Sequence, residues 1–158
     1  MIEANEKKSR EPNLILHGVP ESGSTNVDDR KKHEQEFVAD LFQELGLVDV
    51  AYKALYRLGK PNQTQKRPLK LVIEDIKGKE RIMSNLKKLK DKEKFIGVSI
   101  TDDYTPSERK LIKDKVEEAK VKNKQESLNS NYVWKVRGNP KNGLILKRFQ
   151  KRAPITQQ

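Results

Sequence analysis

The chain has 158 residues, with 34 Lys+Arg against 23 Asp+Glu and a formal net charge of +11. Only 34% of residues are hydrophobic and 36% are charged, which points to a small core with ordered elements and mobile, charged margins. The absence of cysteine excludes disulfides, Cys-based zinc sites and thiol catalysis, and no run approaches the roughly 20 apolar residues of a membrane span.

In chain order, residues 1–11 read as a disordered charged lead-in, too polar for a secretory signal. Asn13 to Pro20 is a short apolar run stopped by Gly18 and Pro20, hence a buried strand. Residues 21–32, rich in Ser, Gly, Asn and Asp, predict a loop. From His33 to Leu45, Phe37, Val38, Leu41, Phe42 and Leu45 recur at helical spacing, with Gly46 as the stop. Tyr52 to Leu58 predicts a second strand, 61–67 a polar loop, and Pro68 to Asp75 a third strand. Gly78 to Lys90 places Ile82, Met83, Leu86 and Leu89 on one helical face, and Phe95 to Ile100 reads as a fourth strand.

This order, β-α-β-β-α-β over 12–104, predicts an α+β fold of the split βαβ kind. It is the arrangement of ferredoxin-like and RNA-recognition-motif domains: a four-stranded antiparallel sheet with both helices on one face. The other face is left free, and RNA-recognition-motif domains hold RNA on it. A C-terminal extension, 105–150, follows. Thr105-Pro106-Ser107-Glu108 starts a helix that runs to about Glu126. Tyr132 to Arg137 and Leu144 to Phe149 flank a turn at 138–143 and predict a β-hairpin. Residues 151–158 read as a basic disordered tail.

The charge is uneven. Residues 1–50 carry 6 basic and 11 acidic residues, net −5, whereas 51–158 carry 28 and 12, net +16. Such asymmetry points to a polyanionic partner, nucleic acid before an anionic membrane.

Catalytic motifs have simpler readings. Gly18 and Gly23 have phosphate-loop spacing, and Thr25 falls at the metal-binding hydroxyl, but Ser24 stands where the lysine must be. A turn after a strand accounts for both glycines. Asp102-Asp103 could hold metal for phosphoryl transfer only with further carboxylates, so they read as favouring the positive end of the next helix. His17 and His33 fit no metal or acid–base pattern. No cofactor and no metal is expected.

The base-stacking aromatics of RNA-recognition motifs are missing from the first and third strands, although Lys70 could meet a phosphate. In the hairpin, Tyr132 and Trp134 share one face by alternation, and Lys135 and Arg137 the other, with Lys147 and Arg148 following. Rings beside cations suit a sequence-tolerant single-strand binder, but the two rings could equally anchor the hairpin. The helix carries Arg109, Lys110 and Lys113 on a mostly charged surface without large apolar membrane anchors.

Asn13-Leu14-Ile15-Leu16-His17-Gly18-Val19-Pro20-Glu21-Ser22 resembles the opening strand of the RNA-binding domain in first-open-reading-frame proteins of LINE-type non-LTR retrotransposons. Further elements fit in order: an acidic helix, Arg57-Leu58-Gly59, Lys66-Arg67-Pro68, Ile100-Thr101-Asp102-Asp103 and Arg109-Lys110. The resemblance covers about 12–126, and the hairpin matches more loosely. It implies an atypical RNA-recognition-motif domain that, with a small C-terminal domain, clamps single-stranded RNA and acts as a nucleic-acid chaperone. It implies RNA contacts at Lys66-Arg67 and Arg109-Lys110, homo-oligomerisation through a region upstream, and an intracellular place, in cytoplasmic ribonucleoprotein or the nucleus.

The expectation is therefore a non-enzymatic binder of single-stranded RNA, or single-stranded DNA, with no membrane role. Its contacts are expected at Arg57, Lys60, Lys66, Arg67, Lys70, Arg109, Lys110, Lys113, Tyr132, Trp134, Lys135, Arg137, Lys147 and Arg148. The surface is expected between the Lys66-Arg67 loop, the Arg109-Lys110 helix start and the hairpin. The competing readings are a protein-assembly module that docks another chain or the C-terminal hairpin on the open sheet face, and a nuclease or nucleotidyl transferase resting on Asp102-Asp103 and the weak glycine loop.

Overall fold

A computed structural model describes residues 2–152, which fall in two compact units, Met1–Asp103 and Tyr104–Gln158. In the N-terminal unit the elements are α1 (Ile2–Arg10), β1 (Asn13–His17), α2 (Val27–Leu45), β2 (Tyr52–Arg57), β3 (Leu69–Ile73), α3 (Ile76–Asn85) and β4 (Ser99–Asp102). Two 3₁₀ turns, Leu86–Leu89 and Glu93–Phe95, lie between α3 and β4. The sheet is antiparallel in the order β2-β3-β1-β4, an α+β architecture compatible with a ferredoxin-like fold.

Alternation sorts the sheet into two faces. Leu14, Leu16, Leu69, Leu71 and Ile73 point into one core with Phe37, Val38, Leu41, Phe42 and Leu45 of α2 and Ile82 of α3. Both helices therefore cover the same face. Each fully buried leucine contributes about 2 kcal/mol.

Four boundaries differ from the sequence reading. The expected disordered lead-in holds α1, closed by an i,i+4 pair between Glu6 and Arg10. Nine residues make a marginal helix alone, but Arg10 is tied to Asp103 at 2.7 Å. The expected loop 21–32 ends early because Asn26 caps α2, its side-chain oxygen accepting from Asp28 N and Asp29 N. The Asn and Asp that signal a loop are also the residues that start helices. Asp75 starts α3 two residues before the expected Gly78, accepting from Gly78 N at 2.6 Å. Phe95 precedes β4 rather than opening it, and packs edge-on against Phe37 with ring centroids 5.5 Å apart.

The C-terminal unit consists of α4 (Pro106–Gln125) and a hairpin of β5 (Tyr132–Asn139) and β6 (Gly143–Gln150). The capping box is present in both halves: Glu108 N donates to Thr105 Oγ1 and Thr105 N donates to Glu108 Oε2. At the hairpin turn, Asn139 Oδ1 accepts from the backbone N–H of Lys141 and Asn142. Gly138 needs its φ of +86°, and a Cβ there would meet the Gly143 carbonyl oxygen at 2.1 Å. Residues 153–158 of the expected tail lie outside the described residues. No helix of the described residues is long and apolar enough to cross a membrane.

Candidate nucleic-acid interface

Three of the five basic residues expected to bind in the N-terminal unit are committed to the fold. The Arg57 side chain is 4% exposed. It donates to Glu34 at 2.8 Å and to the carbonyls of Val19, Pro20 and Arg67. That is a buried charge satisfied from all sides, holding the end of β2 to the segment after β1. Arg67 grips Glu21 through both guanidinium and backbone N–H, and reaches the Gly59 carbonyl. Those hydrogen bonds hold the Glu21 carboxyl below the usual carboxylate range. Lys70 pairs with Asp103 at 2.9 Å. Lys60 and Lys66 alone stay exposed on the β2–β3 loop with no ion pair among the described residues.

The aspartate pair is likewise occupied. Asp103 accepts from Asn13 at 2.9 Å and pairs with Arg10 and Lys70. Burial alone would raise its pKa, but the hydrogen bonds from Asn13, Lys70 and Arg10 outweigh it and hold the carboxyl low. Asp102 turns the other way, to Lys79 of α3 at 2.5 Å. Each carboxylate closes an ion pair inside the N-terminal unit. Gly18 is a packing glycine: at φ +79°, a Cβ would meet the Gly97 carbonyl oxygen at 2.2 Å. Gly23, Ser24 and Thr25 lead into α2, where Arg30 donates to the carbonyls of Ser24 and Thr25. Among the described residues no cluster of His, Asp or Glu gathers at metal-holding distance.

On the sheet face away from the helices, Asn13 and Ile15 are themselves buried. One aromatic does reach that face. Tyr56 stands directly opposite Lys70 in the β2–β3 ladder and is 45% exposed. Attention to the first and third strands overlooked it, because it lies on the second.

In the C-terminal unit, three of the seven basic residues of α4 are paired along the helix itself. Lys110 pairs with Asp114, Lys115 with Glu118 and Lys120 with Glu117. Arg109 donates to the Tyr104 carbonyl, and Lys113 stays exposed without an ion pair among the described residues.

The hairpin divides its side chains sharply. Trp134 belongs to the face turned to α4. Its backbone N–H donates to Asn123 Oδ1, its carbonyl accepts from Asn123 Nδ2, and its indole N–H donates to Glu126 at 3.0 Å. The Asn123 amide thus pairs with the β5 edge as a neighbouring strand would. Lys122 lies 4.7 Å from the indole centroid. Arg148, opposite Trp134 in the ladder, is bidentate to Glu126 and covers the Tyr132 ring at 4.1 Å. These bonds, from Arg148 first, then Ser130 and Trp134, pull the Glu126 pKa from 4.5 to about 2. Trp134 is the anchor of the two readings left open, and Tyr132 and Arg148 are drawn into the same cluster.

The outer face is different. The register puts Val133 opposite Phe149, Lys135 opposite Lys147 and Arg137 opposite Ile145. Lys135, Arg137 and Lys147 are exposed and make no ion pair among the described residues. No acidic residue follows Glu126 in the chain. Two like charges directly opposite each other weaken a ladder, so this face spends stability on an uncompensated positive surface. Phe149 completes it, with the Arg137 guanidinium 4.4 Å and the Lys147 ammonium 5.7 Å from its ring centroid. The turn at 139–143 fixes which β6 residues face Lys135, and that register was the signal available for Phe149.

Lys66 and Arg67 lie in the N-terminal unit, and Arg109, Lys110 and the hairpin in the C-terminal one. Of the fourteen expected contacts, the structure groups Lys135, Arg137 and Lys147 on one face and assigns Arg57, Arg67, Lys70, Trp134 and Arg148 to internal bonding. No protein-family model matches the chain, and no curated protein matches it.

Proposed function

We propose that this chain is a non-enzymatic module that binds single-stranded nucleic acid, RNA foremost, with little sequence preference. In this reading the N-terminal unit is an atypical RNA-recognition-motif-like domain of the kind found in the RNA-binding proteins of LINE-type retrotransposons. The module would serve ribonucleoprotein assembly and nucleic-acid chaperoning. The observation that carries the reading is the outer hairpin face, where Lys135, Arg137 and Lys147 stand together with no ion pair among the described residues. A flat basic strand face suits a flexible phosphate backbone and offers no pocket for reading a base sequence.

The assembly reading has less support, since the centre of the sheet's free face holds the Arg10–Asp103–Lys70 network. An enzymatic reading would need Asp102 and Asp103, and both are held by cations of the same unit.

Fluorescence anisotropy with a labelled single-stranded oligonucleotide at several salt concentrations tests the proposal. Affinity should fall steeply with salt. The combined Lys135→Ala, Arg137→Ala and Lys147→Ala variant should lower the slope of log K against log salt by about 2, at roughly 0.7 per lost phosphate contact. No binding by the unaltered chain at low salt would overturn the proposal.

A further inference from the structure

The hairpin contains two arginine–aromatic stacks, and they differ in what holds the arginine. Arg148 covers Tyr132, but both its ends are engaged, since Glu126 grips it bidentately. Arg137 covers Phe149, and its guanidinium donates a hydrogen bond to the carbonyl of neighbouring Val136. No carboxylate restrains it among the described residues. Leaving Tyr132 would cost Arg148 only its ring contact while its charge stayed neutralised. Leaving Phe149 frees the full charge of Arg137 for a phosphate.

An exposed cation–π contact is weak, whereas an arginine–phosphate contact is charge-assisted and bidentate. A ring vacated by the guanidinium is an apolar plate beside the Lys135–Lys147 pair, which forms the next rung of that face. Aromatic plates beside cations hold unpaired bases, because every base has a π-face.

We infer that Phe149 is a base-stacking residue: an unpaired base replaces the Arg137 guanidinium on the Phe149 ring, and Arg137, Lys135 and Lys147 take the flanking phosphates. This rests on the nucleic-acid reading above and names the ligand element as a single unpaired base between phosphates. A duplex cannot offer one, so the face discriminates strand state rather than sequence.

The test is a cycle between protein and ligand. Phe149→Leu should weaken binding of a single-stranded oligonucleotide about tenfold. It should have little effect on an otherwise identical strand carrying abasic sites, which lacks the stacking partner. Phe149→Tyr should retain the unaltered affinity. Phe149→Trp introduces an indole whose emission should be quenched by the base-bearing strand and not by the abasic one. Thermal unfolding verifies that each variant is folded.

Equal losses on both strands, or no quenching of the introduced indole, would overturn the stacking role while leaving charge-driven binding intact. Should Phe149→Leu fail to fold, the quenching experiment decides alone. Failure of the unaltered chain to bind either strand would instead remove the functional reading itself.

Discussion

The two units use similar charged residues for opposite ends. The N-terminal unit, residues 1–103, holds 20 basic and 18 acidic residues, net +2. Five of its basic side chains are engaged by carboxylates of the same unit: Arg57 by Glu34, Arg67 by Glu21, Arg10 and Lys70 by Asp103, Lys79 by Asp102. The C-terminal unit, residues 104–158, holds 14 basic and 5 acidic residues, net +9. Its carboxylates serve α4 and the Glu126 anchor, and among the described residues none pairs with a cation of the outer hairpin face. A cation is most available to a polyanion where no carboxylate holds it. Net charge per unit therefore says more about binding than the +11 of the whole chain.

The sharpest way to break this comparison is Arg57→Ala. It leaves Glu34 and three carbonyls without their donor at a buried position. Denaturant unfolding should show a loss of about 3 kcal/mol. Nucleic-acid affinity of the folded protein should not change. A loss of affinity at full stability would return Arg57 to the binding surface.

Asp103→Asn should come next, at about 2 kcal/mol, because it strands Arg10 and Lys70 beside an uncharged amide. The same substitution tests the enzymatic alternative. A metal-dependent nuclease activity abolished by it would contradict the structural role given to Asp103.

The smallest effect is a pH dependence of the hairpin anchor. Glu126 has a folded pKa of about 2, below its ordinary 4.5. A depressed carboxylate stabilises the fold fully above the unfolded value, and that contribution fades as pH falls through the folded one. Emission from Trp134, whose indole donates to Glu126, should therefore change between pH 4.5 and about 2. Glu126→Gln should remove that transition. A signal unchanged across this interval would mean that the anchor does not hold in solution.

The elements of the N-terminal unit were legible because apolar periodicity is a local property. Phe37, Val38, Leu41, Phe42 and Leu45 mark α2, and Leu69, Leu71 and Ile73 mark β3, whatever surrounds them. Helix starts were harder, since Asn26 and Asp75 act as caps only in the backbone geometry they help create. The helical state of 2–10 was not legible either, as Arg10 finds Asp103 across 93 residues of sequence.

The candidate site was legible as a composition and not as a surface. Alternation alone put Lys135 and Arg137 opposite Trp134, and the charge asymmetry alone pointed to a polyanion. The sequence by itself determined the order of elements, the periodicity of their faces and the excess of positive charge. Only the tertiary structure decided which cations have a carboxylate partner. Arg57 and Lys147 are equally basic in sequence, but one is enclosed by a carboxylate and three carbonyls, and the other faces solvent beside Phe149. The difference is set by the neighbours that long-range packing brings within hydrogen-bond reach, and those neighbours lie far away along the chain.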